Sequence, residues 1–319
     1  MIGKVTTLTQ KPTSGSAYLW NEIKRNKVAY VYIAPFYILF SIFGLFPVVS
    51  GFLISFFSWD GISSLKFIGL RNYSRLLSDP LFWKALGNTV YIGIIAHIFI
   101  LLGGLLLAYI LNSKLVKYNN IFKTVYFLPM VTSAVAVSIV FKALFGLNSG
   151  LINFLLQTVG FEKIDWWGGK GEFVKIAIIV MFSWKWIGWN MVIYLAGMRG
   201  ISNDIYEAAN IDGASHTQVF SRITVPLLKP IILFTIIQST IGTINLFTEP
   251  FVLTGTLKGG TGNQGLTVMM YLLDKAPYGN NLYGYASACA YILCFIIMLV
   301  SIINMKTLGS ENSRSKEVK

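Results

Sequence analysis

Ile205-Tyr206-Glu207-Ala208-Ala209-Asn210-Ile211-Asp212-Gly213-Ala214, continued by Ser215 and then by Ile223-Thr224-Val225-Pro226, reads as two short soluble helices hinged on a glycine. Ser202 or Asn203 can cap the first helix, and Asp204 and Glu207 lie near its positive end. Gly213 falls where a helix closes in the left-handed conformation, which costs other residues about 1 kcal/mol or more. Ser215 and Gln218 have the S-x-x-Q spacing of a capping box. The second helix runs on through Val219, Phe220 and Ile223 to Pro226. Small Ala208 and Ala209 permit close approach, so the segment 199–226 reads as a rigid knob that something outside a membrane must grip, the competing reading being an ordinary amphipathic linker between spans.

The rest of the chain supplies the membrane. Hydrophobic residues make up 55% of the 319, charged residues 12%, and the mean hydropathy is +0.64, whereas a soluble surface needs roughly a quarter of charged residues. Apolar runs long enough to cross a ~30 Å hydrocarbon core lie near 33–57, 88–112, 124–146, 173–196, 228–249 and 284–305. The expectation is an all-α polytopic protein with about six transmembrane helices. The first run is too long to be a cleaved leader and reads as a retained helix. The implied divisions are a tail over 1–30, a first span with its external loop over 31–85, a core domain over 86–305 and a second tail over 306–319.

With the N-terminus taken as inside, fourteen Lys and Arg fall on inner segments and eight on outer ones, which predicts that both termini are cytoplasmic. The first outer loop runs against this bias, with Lys66, Arg71, Arg75 and Lys84. The net charge of +13 is spread over helix ends instead of one face, so membrane topology accounts for it without nucleic acid.

Other segments are read more simply. Residues 1–29 show nothing periodic enough to force a fold. A short amphipathic helix is expected at Arg71–Leu77. Trp166-Trp167 suit a membrane interface, and the glycines of 250–283 are turn chemistry. Cys289 and Cys294 have a spacing that fits a disulfide poorly and read as packing residues. Prolines at 35, 47, 129, 226, 230 and 250 should bend the spans they touch.

Enzyme chemistry is poorly supplied. Gly260-Thr261-Gly262-Asn263-Gln264-Gly265 fits G-x-G-x-x-G but has no strand before it and no βαβ unit around it. There is no phosphate-cradling G-x-x-x-x-G-K-[ST], no H-E-x-x-H, no G-x-S-x-G and no set with metal-ligand spacing. His97 reads as a packing residue and His216 as an interface side chain.

Glu207-Ala208-Ala209, three residues, Gly213, nine residues, Ile223, one residue and Pro226 resemble the EAA loop of the membrane subunits of binding-protein-dependent ABC importers. Val225 stands where that family usually has Leu. The wider string 205–214 and Phe251-Val252-Leu253-Thr254-Gly255 are similar to the carbohydrate-uptake branch, the maltose- and glycerol-phosphate-type permeases. The resemblance spans roughly residues 30–305. It implies a type I importer fold with a five-helix core and an added N-terminal helix. It also implies a coupling helix carrying Tyr206, Glu207, Ala208, Ala209, Asp212, Gly213 and Ala214, seated in a cytoplasmic ABC ATPase. The implied partners are two copies of that ATPase, a second homologous permease and an extracytoplasmic binding protein. This chain would then hold no cofactor, ATP and Mg being used by the ATPase.

Aromatic faces and hydroxyl-bonding groups hold sugars, and the fourth span offers both. Phe182, Trp186 and Trp189 fall on one helical face, with Asn190 beside them; the plainer alternative is that the tryptophans are packing or interface residues and that Glu249 simply ends its span. Asn245 and Glu249 are further candidates in the fifth span, with Gln238 and Thr248. Lys185 would be costly against lipid and should face protein or water. A carbohydrate is the expected solute, with a polyol or glycerol-phosphate as the competing transport reading and a membrane scaffold as the reading without transport.

Overall fold

The computed structural model describes residues 15–113, 116–169 and 171–309, without the side chains of 15–19 and 307–309. Contacts divide the chain into two units, Met1–Ile54 and Ser55–Lys319. In the first, α1 (Gly15–Arg25) leads to α2 (Lys27–Phe40) and, through a widened turn at Ser41–Leu45, to α3 (Phe46–Ile54). The expected unstructured tail is therefore helical from Gly15. Local pairs support it: Arg25 bonds Glu22 at 2.7 Å, and Lys24 lies over the Trp20 ring. Residues 1–14 lie outside the described ones. Lys27–Ile54 forms one continuous apolar span.

In the second unit, a two-residue strand β1 (Phe57–Ser58) pairs antiparallel with β2 (Lys66–Phe67), Phe57 opposite Phe67. Then come α4 (Arg71–Leu77), as expected, and α5 (Pro80–Asn112). The third expected span is not one helix. It is α6 (Asn119–Val131) and α7 (Ala134–Leu144), bent by 97° at Thr132 and Ser133. Pro129 weakens the helix just before the bend, and the Thr132 hydroxyl bonds the Pro129 carbonyl at 2.7 Å. After α8 (Leu151–Thr158) comes the long α9 (Val174–Arg199).

The knob is α10 (Asn203–Ile211), α11 (His216–Gln218), a widened turn at Val219–Thr224, and α12 (Val225–Leu227). A 68° bend then leads into α13 (Lys229–Ile244). This fifth span stops at Ile244, five residues short of the expected end, and restarts as α14 (Thr248–Thr254). The Leu246 carbonyl at the break is satisfied by the Thr267 hydroxyl at 2.6 Å. The expected outer loop also holds α15 (Val268–Lys275), before α16 (Tyr283–Gly309). By length and apolarity, four helices can cross a membrane, or six if each bent pair is one span, among the described residues.

Both widened turns immediately precede a proline by one residue. The N–H of Phe46 reaches Ser41 and that of Val225 reaches Phe220, five residues back in each case. Pro47 and Pro226 would press on the carbonyl four residues before them, and the extra residue in the turn makes room.

The core runs along the α5–α9 pair. Near the start of α5, Phe82 and Ala85 pack with Leu76, Tyr271, Tyr285 and Cys289. Midway, Ile92, Ala96 and Ile100 meet α7 and the first half of α9, with Trp166. Near its end, Leu105, Ala108 and Leu111 meet Tyr194, Leu195 and Met198. Ile94, Ile98, Leu102 and Leu106 form an exposed apolar face on α5, suited to lipid. Trp166 is thus core, edge-on to Phe145 at 4.6 Å, where an interface residue was expected. Of the two cysteines expected to pack, Cys289 is buried and Cys294 exposed.

Close approach at one glycine fixes α6 on α9. A Cβ on Gly188 would collide with the Tyr126 carbonyl oxygen and the Phe127 nitrogen, both rigid backbone. Gly188→Ala is expected to lower stability by about 1–3 kcal/mol, read as a lower thermal midpoint in detergent. An unchanged midpoint would show that α6 is not held there.

Candidate functional site

The knob is built as a complete C-cap and N-cap in series. The Ser202 hydroxyl accepts from the Asp204 N–H at 3.3 Å. At the other end Gly213 has φ +76°, its N–H donates to Asn210 O at 3.1 Å, and the Ala214 N–H donates to Ala209 O at 2.9 Å. These two bonds define a Schellman motif. The second helix then opens on the capping box, with Gln218 Oε1 accepting from the Ser215 N–H at 2.8 Å and Ser215 Oγ accepting from the Gln218 N–H at 3.3 Å.

Burial divides the segment by face. Ala209 is buried and Tyr206 half-buried, with its hydroxyl 3.4 Å from Thr224 Oγ1. Glu207, Ala208, Asp212 and Gly213 are exposed, and Ile211 is 86% exposed. An apolar tip so displayed beside a carboxylate suits a protein partner. The end of α5 supports the knob from behind: Tyr109 donates to His216 O at 3.0 Å and packs on Phe220 with centroids 4.7 Å apart.

A second constellation lies midway along α9. Phe182, Trp186, Trp189 and Asn190 line one narrow cleft with Ile100 of α5 and Thr235, Gln238, Ser239 and Gly242 of α13. The structure therefore brings four of the six expected pathway residues together. Asn245 is exposed and donates to Ile241 O at 2.9 Å, outside the cleft lining. Glu249 lies outside it too. The α13 contribution, apart from Gln238, was missed although its spacing of three, one and three marks a single helical face.

The cleft leaves about 10 Å³ for the centre of a water-sized sphere, room for roughly one water. Trp186 Nε1 and Asn190 Oδ1 are buried there without a partner, as are nearby Ser183 Oγ and His97 Nε2. Unpaired buried donors and acceptors cost about 1–3 kcal/mol each. As expected of it, His97 is hydrogen-bonded within its own helix, through Nδ1 to Gly93 O at 2.5 Å.

Above the cleft, Lys185 Nζ meets Glu249 Oε1 at 3.0 Å, with the two residues only 7% and 8% exposed. Lys142 Nζ of α7 reaches Val252 O at 3.4 Å. The short α14 is thus clamped near its N-terminus through an acid and near its C-terminus through a carbonyl, each end against a lysine from another helix. Among the described residues no group of His, Cys, Asp and Glu could hold a metal ion.

A bundle of membrane-length helices bearing a capped, exposed helical knob at one end and, at its middle, an aromatic cleft with a few polar side chains defines a translocation subunit. The chain belongs to the family of inner membrane components of binding-protein-dependent transport systems, whose profile matches residues 100–306. It is 38% identical over 277 residues to the lactose transport system permease protein of Rhizobium radiobacter, covering 86% of this chain and 91% of that protein. It is 36% identical over 314 residues to the arabinooligosaccharides transport system permease protein of Bacillus subtilis, covering 96% and 97%. In fold it resembles a chain of a bacterial alginate ABC transporter solved with an alginate pentasaccharide-bound periplasmic protein. That match has a TM-score of 0.77 at 22% identity, over 90% of this chain and 95% of the other.

Proposed function

We propose that this subunit conducts a carbohydrate, best read as an oligosaccharide, through one half of an ATP-driven import pathway. The observation that carries the reading is the cleft: two indoles and a phenyl ring beside an unpartnered Trp186 N–H and an unpartnered Asn190 carbonyl. Aromatic faces take sugar C–H surfaces and the orphaned groups take hydroxyls. Its small free volume makes it one wall of a site, completed by a second, homologous permease. The relatives' names, lactose and arabinooligosaccharides, point the same way.

The knob is read as the coupling element, with Glu207, Ala208, Ile211 and Gly213 facing a cytoplasmic ATPase that uses ATP and Mg. Two copies of that ATPase and an extracytoplasmic binding protein complete the assembly, and both termini face the cytoplasm. A phosphorylated solute would need a basic pocket, and the lysine expected to supply it, Lys185, is neutralised by Glu249. This favours a neutral sugar over glycerol-phosphate.

The test uses reconstituted transporter with lactose and arabino-oligosaccharide as probes. Trp186→Phe keeps a ring and removes one donor, and Trp189→Ala removes a face. Each is expected to lower kcat/KM for uptake about tenfold, the effect of roughly 1.4 kcal/mol, in complexes that assemble normally. Uptake within about twofold of wild type in both variants would put the solute elsewhere.

A further inference from the structure

The first outer loop contradicts the charge bias of the rest of the chain, and the fold gives those charges a common address. Lys66 from β2 and Arg71 and Arg75 from α4 line a single open cleft of about 490 Å³, with Trp59, Asn72 and Tyr285 among its other walls. All three cations are exposed, and none is ion-paired with a described residue. Arg75 sits over the Tyr285 ring at 5.1 Å. The buried Asn72 stiffens the floor, donating to the carbonyls of Ser55 and Phe57, both at 2.9 Å.

Asp60 is the one acid in the lining, and it is already engaged. Its Oδ1 accepts from the Ile62 N–H at 3.0 Å, the Ser63 N–H at 2.7 Å and the Ser63 hydroxyl at 2.8 Å. The N–H groups of Ile62 and Ser63 hold its carboxyl down at about 2. It serves the turn of its own loop. Asp79, outside the lining, accepts from Tyr271 at 2.6 Å and caps α5 through the Leu81 N–H at 2.8 Å. Three cations against the single Asp60 carboxylate leave the lining with an excess of positive charge, and no ion pair among the described residues offsets it.

Its position along the bundle is fixed by α5. Arg71 and Arg75 lie on the helix just before Pro80, whereas the other end of α5, at Tyr109, holds the knob. The helix between them is thirty-three residues long, about 50 Å. The cleft lies at the end of α5 opposite to the knob.

We infer that this cleft is a receptor for carboxylate side chains on the solute-binding protein, so that Lys66, Arg71 and Arg75 dock and orient that protein over the outer mouth. The inference rests on the reading of this chain as a subunit served by an extracytoplasmic binding protein. Two arginines on one helix, one turn apart, present guanidinium forks that carboxylates match in pairs. A breach of the positive-inside bias has a cost in topology, and electrostatic steering of a partner protein is the return on it.

The experiment places the complete transporter in nanodiscs with the binding protein of the same system, loaded with arabino-oligosaccharide, and reads both direct binding and stimulated ATPase rate. Arg71→Glu combined with Arg75→Glu is expected to raise the half-saturating concentration of binding protein at least about tenfold at low salt, and the gap should narrow as salt screens it. The maximal rate at saturation should hold. If the reversed variant fails to assemble, Lys66→Gln, Arg71→Gln and Arg75→Gln together should still raise it about threefold or more. Half-saturation within about twofold of wild type at every salt concentration overturns the proposal. So does an effect of the substitutions that disappears when phosphatidylcholine replaces phosphatidylglycerol, because the anion would then be a lipid headgroup. Wild-type transporter that binds the loaded protein without ATPase stimulation would count against the sugar reading, while leaving the docking measurement intact.

Discussion

Lys185→Met is expected to be among the most destabilising single changes in the chain, about 3–5 kcal/mol. Methionine fills the lysine's volume, so the loss comes from the carboxylate left behind. Glu249 is 8% exposed, and it accepts from Lys185 Nζ at 3.0 Å. Removing that partner strands a charge beside the apolar cluster that contains Phe182 and Leu253. Adding Glu249→Leu is expected to recover most of the stability, because a buried pair replaced by matched apolar groups is often neutral or better. Thermal unfolding of the purified transporter in detergent separates the cases. If Lys185→Met and the double variant unfold alike, the pair is not what holds α14 to α9.

The second large effect concerns coupling. Gly213 has φ +76°, and a Cβ there would meet no atom within 4 Å. The demand for glycine is therefore purely conformational, which makes the substitution series informative. Asn tolerates the left-handed region, Ala is strained by about 1–2 kcal/mol, and a β-branched residue by more. Gly213→Val should open the Schellman motif that joins Ala209 to Ala214 and tilt Glu207, Ala208 and Ile211 away from their partner. The transmembrane helices should still insert. Expected is loss of most of the ATPase stimulation by loaded binding protein, or of ATPase retention on purification, with Gly213→Asn retaining both. Wild-type retention and stimulation in Gly213→Val would show that this turn does not couple.

Local signals proved the readable ones. The knob was legible nearly atom by atom, because caps, glycine and capping box are encoded within four residues of where they act: Ser202, Gly213, and Ser215 with Gln218 all bond as their spacing dictates. The aromatic face of α9 was legible for a similar reason, since 182, 186 and 189 follow the helical period. Its partner wall was not, because Thr235, Ser239 and Gly242 are unremarkable in an apolar run until α13 is laid against α9.

The same limit explains the spans. Hydropathy locates apolar length and Pro129 marks the bend at Thr132, but the break after Ile244 is met by a tertiary hydrogen bond, Thr267 to Leu246 O. Glu249 reads along the sequence as a lone membrane acid. Its pairing to Lys185 crosses 64 positions, a distance over which no local pattern speaks.

The unbroken length of α5 carries a mechanical consequence. Its only proline is Pro80, at the first turn, and from there to Asn112 it is one helix. One end is tied by Asp79 to Tyr271 and lies beside the cationic cleft, and the other is tied by Tyr109 to the backbone of the knob. With no proline inside it, such a helix would turn as a lever in preference to flexing. A tilt of about 10° around its midpoint swings each end of a ~50 Å rod by roughly 4 Å in opposite senses. Displacement of one end in one sense would thereby displace the knob in the other, with the cleft lined by Ile100 near the fulcrum where the motion is least.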